Sequence, residues 1–218
     1  MRLPPTLCRV LRALPVTSAY AVAVGTTAVV GAVLGEQRSD ALALAVSTDL
    51  VHLGRTPLLA LAGSAFVVER PVHALTLPGV VLALGLVERW RGSRAAAGAF
   101  AAGHVGATLL VAAGLAAGVA GGLLDPSYRE GLDVGFSYGE WALLGLLVAR
   151  VPVRWRSTYL VVLSAWLVST AATAFAPVDA GHLTAWAIGL GLAALVLRRD
   201  RAAAAGPGAP PATRTPAG

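Results

Sequence analysis

Residues 134–149, VGFSYGEWALLGLLVA, form an apolar run that nevertheless contains a serine and a glutamate, Ser137 and Glu140. As a helix rising about 1.5 Å per residue, a run of this length approaches what is needed to cross about 30 Å of hydrocarbon. Polar groups in such a run are costly unless they face the interior of a helical bundle. The stretch therefore predicts a membrane helix with one chemically distinctive face.

Further apolar runs of similar character lie on both sides of this one, at residues 15–34, 72–87, 95–124, 158–175 and 181–197. We predict an all-α membrane protein with six transmembrane helices, because helices satisfy every backbone hydrogen bond within hydrocarbon. The first run is too long for the apolar part of a signal peptide and is expected to remain as a span. Residues 36–71 are also apolar but contain Asp49, His52 and Arg55, so we expect a partly embedded external loop there.

The overall composition supports a membrane protein and excludes several other classes. Only 13% of the residues are charged and the mean hydropathy is +0.72, whereas soluble domains carry about 25% charged residues. The net charge of +6 comes from arginines that flank the apolar runs, so no nucleic-acid partner is expected. A single cysteine, Cys8, and four scattered histidines give no metal-ligand spacing, and we expect neither a metal nor a cofactor.

The arginines also predict the orientation of the chain. If the amino terminus is cytoplasmic, all but four of the 17 basic residues lie in cytoplasmic segments; the exceptions are Arg38, Arg55, Arg70 and Arg129. This distribution obeys the positive-inside rule at each internal loop. We therefore predict a multi-pass protein with both termini in the cytoplasm. All 17 basic residues are arginine, and Ala and Gly abound, which is typical of a GC-rich bacterial genome and predicts a bacterial plasma membrane. Residues 1–14 form the cytoplasmic amino terminus, residues 15–201 the membrane domain, and residues 202–218, rich in Ala, Pro and Gly, a disordered cytoplasmic tail.

Two polar residues lie at matching depths in the predicted bundle. Ser137 follows the external residue Asp133 by four positions, and His182 follows the external residue Asp179 by three. Both are therefore about 5 Å below the outer boundary, on helices that run in the same direction. Such a pair can form a dyad in which imidazole accepts the serine proton and creates a nucleophile. Alternatively, Ser137 hydrogen-bonds to its own helix and His182 caps a helix end.

Small residues accompany both polar residues at helical spacing. Gly139 and Gly145 follow Ser137, and Ala185 and Gly189 follow His182. Small residues allow helix backbones to approach closely in lipid, so we expect these positions to pack the two helices together.

The sequence around these residues resembles the rhomboid intramembrane proteases. GFSYGEWALLG, residues 135–145, is similar to their fourth helix with its Gly-x-Ser nucleophile motif, and GHLTAWAIGLGLA, residues 181–193, is similar to their sixth helix. LGLVERWRGS, residues 84–93, is similar to the end of their second helix. A closer likeness is to divergent rhomboid-like proteins of actinobacteria, which carry stretches resembling STDLVHLGRTP, ERWRGS, GHVGATLL and DVGFSYG.

This resemblance implies a six-helix rhomboid-like bundle in which Ser137 is the nucleophile and His182 the general base. The region PVHALTLPG departs from the family, because His73 stands near the expected place but the asparagine that usually follows it is missing. Backbone amides near Gly135 and Ser137, together with His73 or His104, are then the expected oxyanion donors. A second departure is Tyr138, which stands where the family usually has a small residue.

Glu140 is the carboxyl group within the predicted spans. It lies about one helical turn from Ser137 and could pair with His104 on the neighbouring helix, since each group is costly alone. Alternatively it is a neutral glutamate that makes a packing hydrogen bond.

Three functions follow from these features. The first is an intramembrane serine peptidase that cleaves transmembrane substrates with a Ser-His dyad. The second is a rhomboid pseudoprotease that binds transmembrane clients without cleaving them, which the missing asparagine favours. The third is a small proton-coupled transporter that uses Glu140 and His104, although the sequence shows no inverted repeat of the usual kind.

Overall fold

The computed structural model describes residues 11–68, 76–173 and 176–205, and the regular structure among them is helical. A short 3-10 helix spans Pro126–Glu130. The α-helices are α1 Pro15–Leu34, α2 Glu36–Ala45, α3 Leu50–Arg55, α4 Pro57–Ser64, α5 Leu77–Arg91, α6 Ser93–Ala120, α7 Ser137–Leu147, α8 Val153–Thr173 and α9 Pro177–Ala205.

Three of these helices are long and apolar enough to cross a membrane by length and composition: α1, α6 and α9. The all-helical membrane protein predicted from the sequence is thus confirmed, whereas the count of six spans stays a prediction. Within the run at residues 134–149, helix α7 has only 11 residues. Gly135, with a φ of +123°, turns the backbone there, so the helix begins only at Ser137. The predicted span 72–87 begins outside the described residues.

Helix α7 lies at the centre of the bundle and packs mainly against α6 and α9. On the α9 side, a Cβ added to Gly145 would lie 2.8 Å from the Cα of Gly189, and a Cβ added to Gly189 would lie 2.2 Å from the carbonyl oxygen of Ala142. On the α6 side, a Cβ on Gly139 would collide with the Phe100 ring. The backbones of α7 and α9 therefore meet without intervening side chains, and the Phe100 ring of α6 fills the space beside Gly139. Such close packing compensates in lipid for a weak hydrophobic driving force between helices.

The buried carboxylate of Glu88 joins α5 to the start of α1. It accepts hydrogen bonds from the backbone N–H groups of Val16 and Thr17, at 3.0 and 2.8 Å, and from the hydroxyl groups of Thr17 and Ser93, at 2.6 and 2.7 Å. Helix α1 has no side-chain cap of its own, so Glu88 satisfies amides that the first turn leaves without partners. Gly92, with a φ of +85°, makes the turn that brings Ser93 back to Glu88.

The described part of the segment between α1 and α5, residues 35–68, contains the short helices α2, α3 and α4. The loop after α2 binds the loop before α7, where the backbone N–H of Thr48 donates to the carbonyl of Asp133 at 2.8 Å. At the end of α4, the carbonyl of Ser64 accepts from the N–H of Gly135 at 2.9 Å. The segment that contains α2, α3 and α4 therefore holds the amino-terminal end of α7 in place.

Replacing Glu88 by alanine is expected to destabilise the folded protein by about 3 kcal/mol, because buried N–H and hydroxyl groups lose a charged acceptor. The measurement is thermal unfolding of the purified protein in detergent, with Glu130→Ala as the control, since Glu130 is an exposed carboxylate. An equal unfolding temperature for both variants would show that Glu88 does not hold α1.

Candidate functional site

The structure brings Ser137 and His182 together near one end of the bundle. Ser137 is the first residue of α7 and His182 is the sixth residue of α9. Ser137 Oγ lies 3.0 Å from His182 Nε2, which is hydrogen-bond distance, and both side chains are half-buried. When Nε2 carries no proton it accepts from the serine hydroxyl, as a general base must.

The backbone before Ser137 explains why its side chain reaches this position. The positive φ of Gly135 is a conformation that glycine adopts without strain. Its N–H is held by the Ser64 carbonyl, so the chain enters α7 directly above Ser137. The first-turn amides of a helix have no partner within the helix, and they lie at its positive end. Ser137 Oγ is therefore next to backbone donors that can stabilise negative charge.

Two aromatic rings on α7 lie against the His182 imidazole of α9. The Tyr138 ring meets it edge-on with 5.6 Å between ring centroids, and the Trp141 ring lies at 6.1 Å. Tyr138 fits because its neighbour on α9 is glycine: a Cβ on Gly181 would lie 2.1 Å from the tyrosine Cζ. The tyrosine that departs from the usual family pattern thus forms one wall of the site.

A polar network extends from Tyr138 to the segment that contains α2, α3 and α4. The Tyr138 hydroxyl donates to Asp133 Oδ2 at 3.2 Å, and the Thr48 hydroxyl donates to the same atom at 3.1 Å. Ser47 Oγ accepts from the backbone N–H groups of Asp133 and Asp49, at 3.2 and 3.3 Å. The network therefore joins the stretches STDLVHLGRTP and DVGFSYG, whose mutual contact the sequence did not indicate.

The pKa values of the two carboxyl groups in this network, Asp133 and Asp49, are shifted in opposite directions. Burial raises the pKa of Asp133, the nearby Asp49 adds to this, and the hydrogen bonds from Thr48 and Tyr138 act in the opposite direction. Burial also disfavours ionised Asp49, but hydrogen bonds from His52 and Ser47 outweigh it and hold the Asp49 pKa below its ordinary value. Asp49 is also the cap of α3 and lies 2.6 Å from His52 Nδ1.

The predicted pairing of Glu140 with His104 is wrong, because the two side chains face different neighbours. His104 is buried and turned toward α4, with Nε2 at 3.1 Å from both Ser64 Oγ and the Leu61 carbonyl. A Cβ added to Gly79 of α5 would lie 2.5 Å from Glu140 Oε1, so Glu140 faces α5. Within the described part of the chain, Glu140 has no hydrogen-bond partner.

The other predicted oxyanion groups divide into two sets. Gly135 lies immediately before the site, as expected from the sequence, whereas His73 falls outside the described residues. Since a carbonyl can only accept, the contact with Leu61 assigns the proton of His104 to Nε2 and directs it away from Ser137. The donors that the structure places beside Ser137 are therefore backbone amides.

The positions predicted to pack the helices are all at close contacts. Gly139 faces Phe100 on α6, Gly145 and Gly189 face one another, and Ala185 is fully buried. No cluster of three or more potential metal ligands occurs in the parts of the chain that the structure describes.

A comparison with family models identifies one that matches residues 9–203, described as rhomboid-like protein. Comparisons with curated proteins and with solved structures give no match. The matched region includes the elements that carry Ser137 and His182, and it covers nearly the whole sequence. The chain therefore belongs to the family of rhomboid-like proteins.

Proposed function

We propose that this protein is an intramembrane serine peptidase that cleaves transmembrane substrates. The observation that carries the proposal is the 3.0 Å hydrogen bond between Ser137 Oγ and His182 Nε2 in a member of the rhomboid-like family. A serine hydroxyl is a weak nucleophile until an adjacent base accepts its proton. His182 is the described group in position to do so.

The geometry supports a two-step hydrolysis. As Ser137 Oγ attacks the scissile carbonyl carbon, its proton passes to His182 Nε2 and the carbonyl oxygen becomes an oxyanion. First-turn amides of α7 stabilise this charge. His182 then returns the proton to the leaving amine, which breaks the C–N bond and leaves an ester on Ser137. A water molecule activated by His182 hydrolyses the ester and restores the hydroxyl.

We also propose six spans with both termini in the cytoplasm of a bacterial cell, and the site near the outer face. Arg91 at the end of α5 makes an ion pair with Asp200 on α9, so these helix ends lie on the same side. Arg150 and Arg198 lie toward that end as well. The opposite end carries Asp125, Glu130, Asp133 and Asp179. Basic residues concentrate on the cytoplasmic side of membrane proteins.

A second candidate is a binding protein that holds transmembrane clients without cleaving them. The observation that favours it is the engagement of His104 with Ser64 and Leu61, which leaves no described side chain to replace the missing asparagine as an oxyanion donor. Loss of one oxyanion donor costs about 100- to 1000-fold in turnover.

A fluorophosphonate probe is expected to label the purified wild-type protein, because an activated serine attacks phosphorus. Labelling should fall by at least about 1000-fold in Ser137→Ala and His182→Ala, since both members of a dyad are needed. The measurement is in-gel fluorescence after reaction in detergent. The matched control is Ser169→Ala, which changes an exposed serine on α8.

Wild-type protein that is folded but unlabelled would favour the non-cleaving binder. Labelling that survives in His182→Ala would show that the imidazole is not the base.

Replacing Gly181 by alanine is expected to reduce labelling about 10-fold or more, because the new methyl group displaces the Tyr138 ring and with it the imidazole. Gly191→Ala is the control on the same helix, since a Cβ there meets no atom within 4 Å and alanine favours a helix. Equal labelling of the two variants would mean that the Tyr138 contact does not position the site.

The proposed orientation predicts which cysteines a membrane-impermeant maleimide reaches in intact cells. In a Cys8→Ser background, Glu130→Cys should be labelled without treatment, whereas Ala202→Cys should be labelled only after the membrane is permeabilised. The reverse pattern would place the Ser-His site at the cytoplasmic face.

A further inference from the structure

A cavity of about 780 Å³ opens between α5, α7 and α8, beside the Ser-His site and not lined by it. Its walls are apolar over most of their area and include Leu82, Leu86, Leu144 and Tyr159. Leu82 is 63% exposed. The cavity therefore faces the surroundings of the bundle, which for a membrane protein are lipid or another membrane helix.

Helix α8 closes this cavity only loosely. Leu167 is its only buried residue, and its apolar residues Trp155 and Trp166 are exposed. One hydrogen bond, from the Tyr159 hydroxyl to the Leu144 carbonyl at 3.0 Å, links α8 to α7 in the cavity wall. Two further bonds, from Arg156 to the carbonyls of Ala149 and Val151, anchor the first turn of α8. The rest of the helix has few contacts and can separate from α5 at small cost.

Glu140 is the polar residue that lines this mostly apolar cavity at the end nearer Ser137. It lies three residues after Ser137 on α7, about 4.5 Å further from the outer face. It accepts no hydrogen bond from any described residue, and its Oε1 lies beside Gly79, where there is no side chain to pair with it. An unpaired carboxyl group at this depth is costly, and a polar partner relieves that cost.

The far end of the cavity has the opposite charge. Arg89 and Arg150 line it there. Arg89 is ten residues after Gly79 on α5, which is about 15 Å, and Arg150 is three residues past the end of α7. Both arginines are exposed. The cavity thus offers an acceptor near the dyad and repels positive charge at its cytoplasmic end.

From this charge pattern we propose that the cavity binds a transmembrane helix that carries an arginine or lysine at the level of Glu140. The proposal rests on the proposed function and specifies its substrate class: segments with a basic residue about one helical turn deeper than the scissile bond. The basic side chain of the bound helix forms an ion pair with Glu140, so neither charged group is left unpaired within the membrane. An anionic lipid is disfavoured at that level, because its phosphate and Glu140 would repel each other.

The test measures binding and does not require cleavage. The full chain with Ser137→Ala carries p-benzoylphenylalanine in place of the exposed Leu82 and is co-expressed with single-span reporters of fixed orientation. The reporters place an arginine at the level of Glu140, a leucine there, or an arginine ten residues nearer the cytoplasm. Photocrosslinking yields are compared in this background and after adding Glu140→Gln, Glu140→Leu or the exposed control Glu130→Gln.

The reporter with arginine at the level of Glu140 is expected to crosslink about 3- to 30-fold more than the leucine reporter, as polar contacts between membrane helices allow. The preference should shrink in Glu140→Gln, disappear in Glu140→Leu and persist in Glu130→Gln. Arginine at the lower level should crosslink no better than leucine.

Equal yields for all reporters, a preference that survives in Glu140→Leu, or crosslinks to lipid instead of the reporters would overturn this proposal. None of these results depends on catalysis. Failure of fluorophosphonate labelling in the wild type would overturn the peptidase and leave the charge preference standing.

Discussion

The backbone contact between α7 and α9 sets the geometry of the candidate site. Gly145 lies against Gly189, and the Ala142 carbonyl occupies the space that a side chain at 189 would fill. Ser137 is eight residues before Gly145, and His182 is seven residues before Gly189. Both polar residues are therefore about two helical turns from the contact, in the same direction. A contact without side chains fixes the distance between the helices, and with it the 3.0 Å separation of Oγ and Nε2.

Other contacts keep that pair of helices from shifting. Phe100 of α6 packs on Gly139, and the Tyr138 ring packs on Gly181. Asp133 and Gly135, which lead into α7, are hydrogen-bonded to the segment that contains α2, α3 and α4. The Ser137 end of α7 is thus held from three sides, whereas α8 has few contacts. This asymmetry leaves a rigid dyad next to a wall that can move, as the proposed cleavage of a substrate that enters from the membrane requires.

The sequence predicts well how deep a residue lies in the membrane, but it predicts poorly which neighbour the side chain faces. Depth in a membrane helix is proportional to the number of residues from its end, which predicts that Ser137 and His182 lie at one level. The resemblance to a known family predicts that they face each other. The cost of burying Glu140 and His104 singly suggested that they pair, and this prediction was wrong. The ring of His104 is directed by Ser64 and Leu61, which lie in a segment whose short helices follow from tertiary contacts rather than from apolar periodicity. The length of α7 was overestimated for a related reason, since hydropathy does not report the backbone turn at Gly135. The role of Glu88 was missed because its partners are mostly on α1, 71 and 72 residues away.

The positions of Ser137 and Glu140 on α7 connect the two proposals. Residues three apart on a helix lie on neighbouring faces and differ in height by about 4.5 Å. A transmembrane segment seated in the cavity with its cation at Glu140 would continue past α7 toward the level of Ser137. Peptide bonds in an intact helix are shielded by their own hydrogen bonds, so the part that reaches Ser137 must unwind before attack. The cation at Glu140 then holds the helical portion in register while its outer end opens, and the energy of that ion pair offsets the cost of exposing unpaired backbone groups near the dyad.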